Sequence, residues 1–231
     1  MSGKKIAASS QKKVANETVS TQKRGTYKFA AGKDIYSSYD SQKLENDFHL
    51  ARDIITKQGF DGVPEVVSPT ELDEYIKENG TPEMFRGYGC MDADRLSSHA
   101  EQFLSGDMHL SGEESSLYGA GIYTTTSDRI ARGYAEAKKG ANEAVPEHNM
   151  LERMTLRKDA KVLEVSMLFS NDKSEKPDVS KYMYGMLADC KLSNYAVAKG
   201  YDAVKVPQMG GQTYIVILNR TAVITDGVNH Y

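Results

Sequence analysis

Apolar residues return every three to four positions over 41–59, as Leu44, Phe48, Ala51, Ile54 and Ile55, with Gly59 as a stop. That spacing predicts an amphipathic helix of about 17 residues. A second helix begins at Ser68-Pro69-Thr70-Glu71, where Ser caps, Pro fits the first turn and Glu takes the capping-box position. Leu72, Tyr75 and Ile76 form its buried stripe, and Asn79-Gly80 ends it. Residues 84–88 then read as a short strand, and a helix from about 94 turns Leu96, Ala100, Phe103 and Leu104 inward before Gly106. A polar loop over 105–119 leads to a strand over 121–125. Ser127-Asp128 follows as an N-cap, opening a helix with Ile130, Ala131, Tyr134 and Ala135 on one side.

After a loop over 138–148 the period shortens to two, so 150–156 and 161–169 read as half-buried strands. A polar loop over 171–178 precedes helices over about 180–189 and 193–199, the second ending at Gly200. Strands over 202–206, 212–218 and 222–225 finish the chain. Helices first, then strands mixed with short helices, predict an α+β domain with antiparallel or mixed sheets. The strict alternation of a doubly wound fold is missing. Its glycine fingerprint is missing too, because Gly119-Ala120-Gly121 has two of the three glycines and precedes a strand instead of following one.

Composition sets the boundaries. The 231 residues, 39% of them hydrophobic, suffice for one substantial core. Residues 1–35 stand apart as a basic, mobile tail, which over 1–29 carries Lys4, Lys5, Lys12, Lys13, Lys23, Arg24 and Lys28 against Glu17. Such a tail is either an arm for a polyanion or partner surface, or a solvated terminus. Residues 36–231 then form a single domain, helical over 36–80 and sheet-bearing over 81–231. The net charge of −3 gives no general pull toward nucleic acid or anionic membrane. Cys90 and Cys190 lie far apart without a CxxC or CxxH spacing, so neither a disulfide framework nor a zinc site is suggested, which fits a reducing compartment. With no run of about 18 apolar residues and no apolar signal core, a soluble cytoplasmic protein without a membrane partner is expected.

The chemistry concentrates between 85 and 134. Arg86, held between Phe85 and Gly87 in an apolar strand, needs an anionic partner. That partner is either a ligand phosphate, with the glycine permitting close approach, or an internal carboxylate. Tyr123 either walls a ligand site or packs in the core with its hydroxyl satisfied. Ser127 reads as a cap, and Thr124 and Thr125 alternate in direction, so one of them at most faces a site. His49, His99, His109, His148 and His230 share no spacing, so no metal site is expected. No G-x-S-x-G nucleophile elbow occurs.

At these residues the chain resembles the ADP-ribosyltransferase superfamily, over about 84–225. Met84-Phe85-Arg86-Gly87 looks like the first-strand arginine of the bacterial toxin and arginine-transferase branch, which holds the dinucleotide. Tyr118-Gly119-Ala120-Gly121-Ile122-Tyr123, with Ala131 and Tyr134 beyond, is more similar to the G-x-G-I-Y and A-x-x-Y motifs of the poly(ADP-ribose) polymerase branch. Thr124-Thr125-Thr126-Ser127 echoes the hydroxyl-rich strand of the toxins. Gly200-Tyr201-Asp202-Ala203-Val204 and Gln212-Thr213-Tyr214-Ile215-Val216-Ile217-Leu218 resemble the last strands. Catalytic members carry a glutamate just before that apolar run, where this chain has Thr213 beside Gln212.

The resemblance implies an ADP-ribosyltransferase-like fold of mixed or antiparallel split sheets with N-terminal helices, and NAD as the substrate. Arg86 and Gly87 would meet the diphosphate, Tyr123 and Tyr134 would sandwich nicotinamide, and Thr125 would touch the ribose, with Gly121 in the same motif. Gln212 or Thr213 would occupy the glutamate's station. ADP-ribose would pass to a macromolecular acceptor, protein or nucleic acid. Without the carboxylate the positive charge that builds on the ribose loses its main stabiliser, at about 10²–10³ in rate. Glu113 or Glu114 is a candidate replacement. Related domains occur in bacterial toxins and bacteriophage proteins, which implies an effector acting in a bacterial, or host, cytoplasm. Two alternatives stay open: an inactive relative that binds NAD, ADP-ribose or a partner, and a phage virion component whose tail binds nucleic acid.

Overall fold

A computed structural model of the chain describes residues 62–105, 118, 121–137, 144–165, 191–208 and 211–230. The expected tail over 1–35, the helices over 41–59 and 180–189, and Glu113 and Glu114 lie outside the described residues. Within them the order is β1 (Glu65–Val66), α1 (Pro69–Asn79), β2 (Met84–Cys90), α2 (Ala93–Ser105), β3 (Ile122–Thr125), α3 (Asp128–Glu136), β4 (His148–Leu156) and β5 (Val162–Glu164). There follow α4 (Lys191–Ala198), β6 (Ala203–Pro207), β7 (Thr213–Ile217), a 3₁₀ turn (Arg220–Ala222) and β8 (Val223–His230). The strands form one mixed sheet in the order β1-β8-β4-β2-β3-β7-β6-β5, parallel only at β1–β8 and β5–β6. This is an α+β fold.

Local chemistry explains most boundaries. α1 starts with a complete capping box: Ser68 Oγ accepts from the Glu71 amide at 3.3 Å, and the Glu71 carboxylate accepts from the Ser68 amide at 2.8 Å. α2 starts a residue earlier than its apolar spacing implies, because Asp92 Oδ1 accepts the amides of Asp94 and Arg95 at 2.9 and 3.3 Å. α4 begins at Lys191 rather than at Ser193, whose hydroxyl instead donates to the Tyr118 carbonyl at 2.8 Å. β8 runs on to His230, well past the expected 225, carried by antiparallel pairing with β4. β1 is too short for any periodicity to announce and owes its existence to that same strand.

Helices cover both faces near the centre. Leu96, Ala100 and Phe103 of α2 are buried, Leu96 and Ala100 in a cluster with Cys90 and Met150, and Phe103 in the main core. Burying each of these larger side chains contributes about 1.5–3 kcal/mol. α3 crosses β2 so closely that a Cβ on Gly87 would stand 1.7 Å from the Ala131 carbonyl oxygen, and one on Gly89 would stand 1.9 Å from that of Ala135. Only glycines permit this approach. Arg220, fully buried, donates to the carbonyls of Gln102 and Phe103 at 3.1 and 3.2 Å, satisfying oxygens that the end of α2 leaves unpaired.

One irregularity matters for function. β2 pairs with β4 along seven residues, yet with β3 at a single position, Phe85 opposite Thr125. Beyond that pair the two strands part.

Candidate functional site

A crevice of about 330 Å³ opens where β2 and β3 part. Phe85, Arg86 and Gly87 line it from β2, Tyr123, Thr124 and Thr125 from β3, Ala131 and Tyr134 from α3, and Tyr214 from β7. Its volume lies at the lower end of the range for small-molecule sites. Five residues singled out in the sequence, Arg86, Gly87, Tyr123, Thr125 and Tyr134, meet here.

Three others do not line it. Gly121 stands at the entry to β3 with φ +149°, where a Cβ would meet Val216 Cγ1 at 2.4 Å, so its role is to let β3 lie against β7. Thr213 opens β7, its backbone exchanging hydrogen bonds with Thr126: it donates to the Thr126 hydroxyl at 3.2 Å and accepts the Thr126 amide at 3.0 Å. The Gln212 carbonyl accepts from the Gln208 amide at 2.7 Å. The close approach at Gly87 is taken up by α3.

Both Thr124 and Thr125 border the crevice, although their hydroxyls do different things. Thr124 donates to the Ile215 carbonyl at 2.8 Å. Thr125 accepts the Ser127 amide at 3.3 Å and keeps its own proton for another partner. Ser127 caps α3 by accepting from Ile130 at 3.4 Å. Helical spacing groups Tyr134 with the inward residues of α3, but Ala131 and Ala135 occupy that face and Tyr134 stands 59% exposed at the mouth. The tyrosine falls about 100° per residue away from Ala135, enough to bring it off the buried stripe.

Arg86 has an internal carboxylate after all. Its Nη1 donates to Glu152 Oε2 at 3.1 Å, and its Nη2 lies 3.0 Å from His99 Nε2. Glu152 sits opposite Arg86 in the β2–β4 register and is fully buried. Burial pushes its carboxyl above the ordinary range, while the Arg86 and Arg220 guanidiniums pull the other way. His99 in turn stacks on Tyr88, ring centres 3.8 Å apart. Nothing in the residue pattern around Glu152 signals this pairing, since it is a lone acidic residue in a strand 66 positions from Arg86.

Tyr214 is the other residue the sequence reading passed over. Its signal was register: it pairs with Thr125 across β3–β7 and therefore shares that residue's face. Its hydroxyl lies 2.9 Å from that of Tyr134, bridging α3 and β7. The hydrogen bond between the Tyr214 and Tyr134 hydroxyls, with partial burial, pushes the Tyr214 phenol up to about 12. Tyr134, Tyr214, Tyr118 and Tyr123 follow one another at 6.3 to 6.4 Å between ring centres, making a continuous aromatic wall. Tyr118 ties the wall inward, its amide donating to the Tyr123 hydroxyl at 2.9 Å and its own hydroxyl accepting from Gln208 at 3.0 Å.

The arrangement offers a flat aromatic flank and a hydroxyl around a small space, with Arg86 at its border and the Arg86 guanidinium on Glu152 and His99. No family model matches the chain, and no curated protein matches it. Among solved structures it is similar to a chain of the M. tuberculosis MbcT-MbcA toxin-antitoxin complex, at a TM-score of 0.37 and 14% identity, covering 69% of this chain and 91% of that one. No helix among the described residues is long and apolar enough to cross a membrane.

Proposed function

We propose that the protein binds NAD in the crevice between β2 and β3 and transfers ADP-ribose from it to a macromolecular acceptor, protein or nucleic acid. The observation that carries this reading is that Arg86 and Tyr123, on different strands, line one small crevice together with Tyr134 and Thr125. Arg86 draws the diphosphate, as guanidiniums do. Tyr123 and Tyr134 flank the nicotinamide ring, and the Thr125 hydroxyl donates to the ribose. The bond between the nicotinamide nitrogen and the ribose anomeric carbon breaks with its electron pair on nicotinamide, and an acceptor nucleophile closes on that carbon and sheds a proton. Gln212 or Thr213 stands at the station where related transferases carry glutamate, and neither neutralises the charge that develops on the sugar. An effector working in a bacterial or host cytoplasm fits such a reaction.

A second reading has an observation of its own. Among the described residues, none of the side chains lining the crevice is a carboxylate. An inactive relative that binds NAD or ADP-ribose without turning it over has the same crevice and the same gap. Calorimetric titration with NAD, followed by incubation with labelled NAD and a cell lysate, separates the readings. Binding with label transfer or nicotinamide release supports the transferase. Binding alone supports the inactive relative, and absence of NAD affinity refutes both.

A further inference from the structure

Glu152 is a fully buried carboxylate against Arg86, and the proposed reaction makes no use of it. Its Oε2 accepts from Arg86, while its Oε1 has no hydrogen-bond partner among the described residues. The groups facing it come from three elements. Arg86 reaches it from β2, and His99 of α2 touches the far side of that guanidinium. Arg220, in the turn before β8, acts at longer range with its guanidinium on the end of α2.

An arginine only donates, so His99 meets Arg86 with an unprotonated Nε2. A proton on that nitrogen would set two cations against each other. Arg86 thus meets both Glu152 and His99 as acceptors, it is among the residues that line the crevice, and its side chain is 16% exposed. An anion entering the crevice competes with Glu152 for the same charge. Once the guanidinium turns to that anion, Glu152 becomes a buried carboxylate with a weakened counter-charge. Such a group takes up a proton in preference to staying ionised.

We infer that Glu152 is a positioning residue and proton acceptor governed by Arg86: an anion engaging Arg86 in the crevice binds together with a proton taken from solvent onto Glu152. The accepting oxygen is Oε1, and Oε2 stays as a neutral acceptor for the departing guanidinium. Burial favours the protonated form, and the Arg86 charge is what holds it off. The NAD arm of the test rests on the reading above, whereas the sulfate arm does not.

The full chain is titrated near neutral pH with NAD, and separately with sulfate, in buffers of different ionisation enthalpy. Neither probe titrates in that range. About one proton should be taken up per bound anion, by linkage. Glu152→Gln should bind with buffer-independent heat, and His99→Gln should keep the uptake. Difference infrared spectra of the wild type, which need no variant, should gain a protonated-carboxyl band on adding either probe. NAD binding without uptake or band overturns the inference and leaves the dinucleotide reading intact. Sulfate binding with uptake, in a protein that ignores NAD, supports the inference and ends that reading. Binding of neither probe, or unchanged uptake in Glu152→Gln, overturns it.

Discussion

Replacing Gly87 by alanine tests whether the crevice owes its shape to the contact between α3 and β2. The new Cβ would lie 1.7 Å from the Ala131 carbonyl oxygen, 2.5 Å from its carbon and 3.2 Å from Ala135 Cβ. The obstacle is backbone, so no rotamer change relieves it. To restore an ordinary contact of 3.4 Å, the helix has to retreat by about as much as the clash leaves, 1.7 Å. Overpacking of this kind costs about 1–3 kcal/mol. The smaller entropy of the unfolded chain returns about 0.4–1 kcal/mol, for a net loss centred on about 1.3 kcal/mol. In a chain of this size that lowers Tm by about 3–5 °C. Ala131 and Tyr134 ride on the same helix, so the 2.9 Å contact between Tyr134 and Tyr214 breaks and NAD affinity falls at least about tenfold, the equivalent of about 1.4 kcal/mol. Thermal unfolding by circular dichroism and calorimetric titration supply the two readouts. Gly133→Ala is the control: it lies on the same helix with nothing within 4 Å of the added methyl, so it should leave Tm unchanged or raise it. A Gly87→Ala protein that melts with the wild type and binds NAD equally well would refute the reasoning.

Other substitutions probe other parts. Ser68→Ala removes the hydroxyl half of the capping box, leaving the Glu71 carboxylate on the backbone amide of position 68, and should cost about 1 kcal/mol in chemical denaturation without touching ligand binding. Asn219→Ala should cost more, about 2–4 kcal/mol, because Asn219 bonds Asp202 Oδ1 at 2.7 Å and the Thr221 hydroxyl at 2.7 Å in a fully buried turn; a loss below 1 kcal/mol contradicts this. Tyr134→Phe removes the hydrogen bond that is the largest cause of the high Tyr214 phenol, so ultraviolet titration should show it ionising below about 12. The sign follows: with its folded value raised, Tyr214 contributes stability below the unfolded phenol range near 10, lost as pH climbs toward 12. Thr213→Glu returns a carboxylate to the station and should raise nicotinamide release by about 10²-fold if the transferase reading holds; an unchanged rate removes Thr213 from that station.

The elements that could be read in the sequence are those whose signal is local. Ser68, Pro69 and Glu71 announce α1 within four residues, and the α3 cap at Ser127 is as direct. β1 depends on pairing between segments some 160 residues apart, and the far end of β8 on pairing with β4 about 80 residues away, for which no local pattern exists. The site divides the same way. Arg86, Tyr123 and Tyr134 were found through motif spacing, whereas Glu152 and Tyr214 reach the crevice region only through cross-strand register with Arg86 and Thr125. A glycine beside an arginine in an apolar strand reads as a place of ligand approach, and a strand alone does not say that a helix carbonyl will lie 1.7 Å from its missing Cβ.

The single pair between Phe85 and Thr125 makes a seam with few hydrogen bonds through the middle of the sheet. Strands β1, β2, β4 and β8 lie on one side of it and β3, β5, β6 and β7 on the other, so the chain is stitched across the seam between β2 and β3, β3 and β4, β4 and β5, and β7 and β8. Neither half is therefore a continuous stretch of sequence, and no single cut releases one intact. Covalent lacing does there what the missing ladder does not, which lets the strands stand apart without giving up a common body.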